Sequence, residues 1–377
     1  MENNFDGLGI GENILRGIYS YGFEKPSAIQ KQSIPEIIKG IDIIAQAQSG
    51  TGKTGAFVIG LLNKINPSIS KTECLILLPT HELVNQVYDV VNELSKYMDI
   101  NILKLIGGTN ISQSISELKK NPKILIGTPG RVLDMINRKH IITNDLGILV
   151  FDEADEILSY GFKEPIYNIV INIPKTCQIC LFSATLPSDI LELTDKFMNE
   201  PKRILVKNEE LTLEGIQQFY VKVKDNNWKY DIITDLYDII NISQCIIYIN
   251  SKNKINEIYQ KLNDDNFPVS FISSERTSTE RKMIMDEFRS GKIRILLSTD
   301  LLSRGIDIQQ LSLVINYDLP KSKETYIHRI GRSGRYGRKG VAINLINDRE
   351  ITNLKMIEEF YNSKINEMPE NISELLN

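Results

Sequence analysis

A glycine-containing loop near the start of the chain constrains the fold more than any other stretch. It reads AQSGTGKT over residues 47–54, after a short apolar run at residues 41–45 and before apolar residues at helical spacing. Such a loop offers backbone N–H groups to phosphates, Lys53 to the β- and γ-phosphates, and the Thr54 hydroxyl to Mg²⁺. We therefore expect a nucleoside triphosphate site. The alternative is a chance match, since the first position is Ala47 rather than glycine.

The bulk composition limits the number of domains and the kinds of partner. The 377 residues are enough for two or three domains, and 42% hydrophobic with 24% charged residues is typical of a globular protein. No run approaches the roughly 20 apolar residues of a membrane span, and the first residues lack a secretion signal pattern. We expect a cytoplasmic protein, and the alternative is a nuclear location. A net charge of -4 means that any surface for nucleic acid must be a local patch.

The cysteines point to structural thiols rather than to disulfides or a metal. Four cysteines are too few for a disulfide framework in a chain of this length. Cys177 and Cys180 form a CxxC pair, but they lie in an apolar run that predicts a buried strand, and no second pair completes a zinc site. We expect buried, unreactive thiols.

Predicted strands and helices alternate along the first half of the chain. The predicted strands lie at residues 41–45, 74–78, a run ending at 107–108, then 124–126, 148–151, 179–182 and 203–206. Apolar residues at helical spacing lie between several of them. This rhythm predicts a parallel α/β sheet covered on both faces, with ligand-binding loops at the carboxyl ends of the strands.

An acidic loop follows the apolar strand at 148–151. Asp152 opens this loop, and a carboxylate at the end of a core strand is costly unless it faces a cation or a donor. Asp152 is a candidate for Mg²⁺, and Glu153 is then placed to orient or deprotonate an attacking water. The alternative is an acidic helix cap. The hydroxyls of Ser183 and Thr185, after the strand at 179–182, are candidates to hydrogen-bond this loop.

The aromatic residue and amide ahead of the phosphate loop have two interpretations. Phe23 and Gln30 could stack on and hydrogen-bond an adenine, because an amide both donates and accepts. From the residues alone we favour a capped turn, with a core Phe23 and with Ser27 capping a helix.

The second half of the chain repeats the alternation without a second phosphate loop. The polar stretch 207–215 is predicted to be a linker, followed by strands at residues 246–249, 269–272, 293–297, 313–316 and 341–346. In the run HRIGRSGR, Arg332 and Arg335 share one helical face. They could stabilise transition-state charge on a γ-phosphate, and the alternative is a solvated basic face.

Together these stretches resemble the DEAD-box family of ATP-dependent RNA helicases, and within it the translation initiation factor 4A branch. The motifs AQSGTGKT, PTHEL, GG, TPGR, DEAD, SAT, STDLLSRGID and HRIGRSGR occur in the family order, and GIYSYGFEKPSAIQ and NEMPENISELL extend the likeness. The resemblance implies two tandem RecA-like domains, each a parallel sheet with helices on both faces. The ATP-binding domain would span 1–206 and the helicase C-terminal domain 216–377, joined by the linker at 207–215.

The resemblance also implies a role for individual residues. The nucleotide-binding residues would be Phe23, Lys25, Gln30, Ala47, Gln48, Ser49, Gly50, Thr51, Gly52, Lys53, Thr54 and Asp307. The catalytic residues would be Lys53, Asp152, Glu153, Arg332 and Arg335, with Thr54 and Asp152 holding Mg²⁺. Asp155, Ser183, Thr185 and His328 would couple ATP to RNA. The RNA-binding residues would be Pro79, Thr80, His81, Gly108, Thr128, Arg131, Arg281, Thr299 and Asp300.

Three departures from the family pattern lie among the RNA-side motifs. His81 stands where the family usually has arginine, and a mostly neutral imidazole is a weaker phosphate partner. Residues 273–275 read SSE where the family usually has HGD, and Ser278 replaces a glutamine, although Arg281 is retained. The ATP-side motifs carry no such change.

The resemblance implies an RNA-stimulated ATPase that bends and locally melts RNA duplexes as its lobes close. ATP and Mg²⁺ would be its cofactors, and RNA backbone contacts would give little sequence specificity. One alternative is a slowly hydrolysing, ATP-gated RNA clamp for partner proteins, and a more distant one is a DNA-directed motor. We expect a monomer that protein partners direct or stimulate, with no membrane association.

Overall fold

The computed structural model describes residues 4–47, 50–158, 163–205, 216–239, 244–273, 275–300, 311, 313–331 and 340–369. It divides into two compact units, Met1–Leu211 and Thr212–Asn377. Several residues named above lie outside the described part, namely Gln48, Ser49, Ser274, Asp307, Arg332, Arg335 and the linker 207–215.

The first unit is built on a parallel sheet. Its strands are β1 (Ile43–Gln46), β2 (Cys74–Leu77), β3 (Ile102–Leu105), β4 (Ile124–Gly127), β5 (Ile148–Phe151), β6 (Gln178–Ser183) and β7 (Lys202–Leu205). They lie in the order β3-β4-β2-β5-β6-β1-β7, and the described neighbours pair in parallel. The parallel sheet predicted for the first half is therefore present.

Helices cover both faces of this sheet. They are α1 (Glu12–Tyr21), α2 (Ala28–Lys39), α3 (Lys53–Leu62), α4 (His81–Leu94), α5 (Ile111–Leu118), α6 (Pro129–Asn137), α7 (Ala154–Ile157), α8 (Lys163–Val170) and α9 (Ser188–Thr194). Alternate residues of a strand point to opposite faces. Ile76 of β2 accordingly packs in one core with α1 to α4, whereas Leu75 and Leu77 pack in another with α5 to α9.

The second unit repeats this design. Its strands are β8 (Ile216–Lys222), β9 (Cys245–Tyr248), β10 (Val269–Ile272), β11 (Ile295–Ser298), β12 (Leu313–Asn316), β13 (Gly340–Ile346) and β14 (Asn366–Glu367), in the order β10-β11-β9-β12-β13-β8-β14. The helices are α10 (Trp228–Ile239), α11 (Lys252–Asp264), α12 (Ser278–Arg289), α13 (Lys323–Ile330) and α14 (Ile351–Tyr361). Two described parallel sheets with flanking helices confirm the predicted fold class.

The structure corrects the strand predictions at two places. The strands β8 and the short β14 were not predicted, and they pair with each other at one edge of the second sheet. It also extended β1 too far back, because Asp42 lies outside the strand. The Asp42 carboxylate accepts hydrogen bonds from the backbone N–H groups of Ile179 and Asn199, both at 2.8 Å. Asp42 thus bridges the ends of neighbouring segments.

The cysteines agree with the expectation of buried thiols. All four cysteines are buried and free. Burial raises the pKa of each thiol, which keeps it protonated and unreactive. No helix in the described part of the chain combines the length and the apolar character that crossing a bilayer requires.

Candidate functional site

The phosphate loop lies where the sequence predicts it, between β1 and α3. Gly50 and Gly52 have φ values of 84° and 95°, a backbone conformation that favours glycine. A Cβ atom on Gly52 would lie 2.7 Å from the Gln30 side-chain nitrogen, so that side chain would have to move. Lys53 is the first residue of α3. The loop therefore presents a helix N-terminus together with a buried lysine.

Lys53 meets the acidic loop inside the first unit. Its Nζ atom lies 3.8 Å from Glu153 Oε2, and the side chains are only 5% and 4% exposed. Among the described residues, Lys53 Nζ has no hydrogen-bond partner. A buried ammonium group without a hydrogen bond is costly. The site is thus arranged to receive acceptor oxygens from a ligand such as a phosphate.

The acidic loop itself is strained and electrostatically crowded. Glu153 has a left-handed backbone conformation, with φ 51° and ψ 51°, which is unusual for a residue with a side chain. Burial and the neighbouring Glu153 carboxylate raise the pKa of Asp152, while Lys53 opposes them. A divalent cation would favour the charged carboxylates, so this cluster fits Mg²⁺.

The hydroxyls predicted to reach the acidic loop do so. The Asp155 backbone N–H donates to Ser183 Oγ at 3.2 Å, and Thr185 Oγ1 donates to Asp155 Oδ2 at 2.6 Å. Asp155 thereby links α7 to the last residue of β6 and to the segment that follows it. These contacts confirm the hydrogen bonds expected from the sequence, and the coupling role of the three residues stays a prediction.

Gln30 forms the capped turn that the sequence favours, and its contact with adenine stays a prediction. Its Oε1 atom accepts the Ser27 backbone N–H at 2.9 Å, completing a capping box with Ser27 at the start of α2. Its Nε2 atom donates to the Gly52 carbonyl at 3.2 Å. The capped turn is confirmed, and the same amide also holds the phosphate loop.

Phe23 is half-buried beside other aromatic rings. It stacks on the fully buried Phe5, with ring centroids 6.2 Å apart, and contacts Tyr21 edge-on at 4.9 Å. One of its ring carbons lies 3.0 Å from the position of a Cβ built on Gly55. Phe23 therefore borders the first turns of α3, next to the phosphate loop, and Lys25 is exposed.

The RNA-side residues predicted in the first unit lie together at the edge of the sheet that is formed by the carboxyl ends of its strands. They follow the carboxyl ends of β2, β3 and β4, which are neighbours in the sheet. Thr80 caps α4 by accepting the Leu83 N–H at 3.3 Å, and Pro79 precedes it. His81 Nε2 lies 3.4 Å from the position of a Cβ built on Gly107. Gly108 and Thr128 complete this group, and the Thr128 backbone N–H donates to the Leu105 carbonyl at 3.1 Å.

Arg131 belongs to this edge but is largely buried. Its guanidinium donates to Thr109 Oγ1 at 3.1 Å, to the Thr109 carbonyl at 3.0 Å and to Ser114 Oγ at 3.3 Å. These bonds hold the segment that follows Gly108. A direct RNA contact by Arg131 stays a prediction.

A buried arginine that the sequence analysis missed organises the second unit. Arg329 is 0% exposed and donates to Asp300 Oδ1 at 2.7 Å. It also donates to Asn316 Oδ1 at 3.1 Å, to the Asp318 carbonyl at 2.7 Å and to Asn250 Oδ1 at 2.6 Å. Arg329 thus ties the ends of β9, β11 and β12 to α13. The available sequence signal was a charged residue between the apolar residues Ile327 and Ile330 of α13.

The remaining predicted residues of the second unit that the structure describes lie near Arg329 or near the loops that follow β10 and β11. His328, the neighbour of Arg329 on α13, is also buried. Thr299 and Asp300 follow β11, and Arg281 lies in the first turns of α12. Because β10, β11 and β9 are adjacent, these segments lie at one edge of the second sheet.

Comparison with known proteins identifies both units. Residues 27–193 match the family model described as DEAD/DEAH box helicase, and residues 228–337 match the helicase conserved C-terminal domain. The chain is 52% identical to the ATP-dependent RNA helicase eIF4A of Eremothecium gossypii over 99% of this chain and 94% of that protein. It is also 52% identical to the eIF4A of Saccharomyces cerevisiae, with the same coverage.

A solved structure agrees with the fold. S. cerevisiae Dbp5 bound to RNA and ADP BeF3 is similar with a TM-score of 0.92 and 33% identity, over 100% of this chain and 99% of that chain.

Proposed function

The chain belongs to the DEAD/DEAH box helicase family, and from this membership we propose how its residues use ATP to act on RNA. It is an ATP-dependent RNA helicase of the eIF4A type. The observation that carries the residue-level proposal is the buried pair Lys53 and Glu153, 3.8 Å apart beside the phosphate loop.

On the ATP side, each group has a distinct task. Lys53 binds the phosphate oxygens, which supply the hydrogen bonds that its ammonium group lacks among the described residues. Glu153 orients or deprotonates the attacking water, because its carboxylate already lies beside Lys53. Phe23 and Gln30 bind the adenine, and Asp307 the ribose. Arg332 and Arg335 stabilise the charge that develops on the γ-phosphate.

Mg²⁺ fits the acidic loop, with Thr54 and Asp152 as its protein ligands. The ion would neutralise phosphate charge during hydrolysis. The raised pKa of Asp152, caused by burial and by Glu153, supports a site whose negative charge is balanced by a cation.

On the RNA side, the strand is bound through its backbone at the loop edges of both sheets. Thr80, Gly108 and Thr128 contribute from the first unit, and Arg281, Thr299 and Asp300 from the second. Phosphate contacts position a strand without reading its bases, so base identity matters little. Bound RNA is held in a bent form that a duplex cannot adopt, and ATP and RNA affinities are coupled reciprocally. We place this activity in the cytoplasm, with protein partners that direct or stimulate it.

The test is the ATPase rate with and without single-stranded RNA. We expect saturating RNA to raise the rate and omission of Mg²⁺ to abolish it. A rate unchanged by RNA would end this proposal. A strand-displacement assay on a short duplex, beside the RNA dissociation time with a non-hydrolysable ATP analogue, separates a helicase from a clamp. A DNA strand of equal sequence tests the choice of nucleic acid.

His81 gives a prediction specific to this chain. His81→Arg should tighten RNA binding, because a permanently charged guanidinium group, which can bind phosphate through two N–H groups, replaces an imidazole beside Gly107. The slope of log affinity against log salt should steepen by about 0.7 to 1, the contribution of one phosphate contact. Fluorescence anisotropy across a salt series measures both quantities. An unaltered slope would mean that residue 81 does not contact phosphate.

A further inference from the structure

The second unit carries an arginine that no expected RNA contact includes. Arg276 lies between β10 and α12, at the sheet edge that also holds Thr299 and Asp300. Its guanidinium carbon lies 4.0 Å from the centroid of the Phe271 ring. Tyr259 packs edge-on against the same ring, with centroids 5.0 Å apart. The stacking surface under Arg276 is therefore held in place from a second side.

A guanidinium group that stacks on an aromatic ring can still donate hydrogen bonds, because its N–H groups point outward in the plane of the group. Within the described part of the chain, the buried Nε atom of Arg276 has no hydrogen-bond partner. An unpaired polar atom of a charged group is costly, so the position suits an incoming acceptor. Phe271 thus fixes the orientation of the guanidinium group, and its Nε–H donor still needs an acceptor.

A second arginine, Arg281, lies in the first turns of α12, close to Arg276 in the sequence. Thr277 is the N-cap and forms a capping box with Glu280. Arg276 therefore occupies the position before the cap and Arg281 the fourth helical position, the two places where helices commonly pack an apolar pair against each other. An anion bound at the start of α12 would therefore be within the reach of two long cationic side chains.

Neighbouring carboxylates are occupied elsewhere. Glu275 pairs with Lys252 at 3.4 Å. The Glu280 carboxylate accepts both the N–H and the hydroxyl of Thr277 at 2.7 Å, and these bonds lower its pKa, with a smaller contribution from Arg276. Arg276 forms no ion pair with either carboxylate among the described residues.

We propose that Arg276 and Arg281 together bind one phosphate of the RNA backbone, with Arg276 a phosphate-binding residue in addition to Arg281. This inference rests on the proposed function, which places Arg281 at the RNA. Arg276 adds a cation immediately beside the departures at 273–275 and Ser278, where the usual RNA-side residues are missing.

The test is RNA affinity as a function of salt. A labelled uridylate decamer is titrated with the full chain, Mg²⁺ and a non-hydrolysable ATP analogue between about 50 and 200 mM KCl. Arg276→Met should weaken binding about threefold to tenfold and reduce the log-log salt slope by about 0.7, because one single-strand phosphate contact is lost. Arg276→Lys should keep the slope, since the charge remains.

Two further variants decide the outcome. Arg289→Met removes an exposed arginine at the other end of α12, paired with Asp286 at 3.4 Å, and should leave affinity and slope unchanged. Arg281→Met should lower the slope as Arg276→Met does. If only Arg281→Met lowers it, the role of Arg276 is overturned and the proposed function stands. If neither does, this sheet edge is not at the RNA backbone, and both fail. Thermal unfolding midpoints control for misfolding.

Discussion

Glu153→Gln should reduce RNA-stimulated ATP turnover by about 10² to 10⁴-fold, the usual contribution of a general base. The substitution keeps the size of the side chain and removes the charge that lies 3.8 Å from Lys53 Nζ. Lys53 remains available to the phosphates, so ATP and RNA should still bind. The variant should therefore retain RNA in the presence of ATP, because hydrolysis no longer ends the bound state. Steady-state phosphate release and an RNA retention assay measure the two effects.

The control for this variant is Glu164→Gln, which removes an exposed carboxylate from α8. It should leave turnover within twofold of the parent chain, about the scatter of surface substitutions. Normal turnover in Glu153→Gln would remove Glu153 from the chemistry. Loss of ATP binding together with turnover would instead assign it a role in binding.

Arg329→Met should destabilise the second unit by about 3 kcal/mol or more, because the fully buried guanidinium group loses four hydrogen bonds, one buried and three partly buried. Asn250 and Asn316 would lose their charged donor, and Asp300, whose side chain is 49% exposed, would keep access to water. The sequence has one tryptophan, Trp228, and it lies in this unit. Urea unfolding followed by its fluorescence therefore reports on the affected unit.

Two variants make this stability prediction sharp. Arg329→Lys keeps the charge but cannot reach the four acceptors, so it should fall between the parent and the methionine variant. Arg289→Met should change the free energy of unfolding by no more than about 0.5 kcal/mol. Equal midpoints for Arg329→Met and Arg289→Met would contradict the organising role of Arg329. If Arg329→Met does not fold, the lysine variant still provides the measurement.

Local pattern predicted the elements well where the signal was strong. The predicted ends of β2, β4, β5 and β12 agree with the structure to within one or two residues. These strands are buried on both faces, so each one is a continuous apolar stretch in the sequence. The strand β8 was not predicted, because the adjacent polar residues Gln217 and Gln218 interrupt its apolar pattern, next to the polar stretch at 207–215. It also placed Asp42 in β1, because its role as a hydrogen-bond acceptor for distant backbone groups has no local signal.

The sequence by itself determined the two-unit α/β architecture and the loops that carry chemistry, because both follow from periodicity and from residue types at short spacing. Only the tertiary structure decided which side chains meet. Gln30 reaches Gly52, Arg131 turns inward to Thr109, and Arg329 contacts Asn250, partners that are 22, 22 and 79 residues apart. Strand order in a sheet brings such residues together, and that order is set by packing of the whole core rather than by any local run.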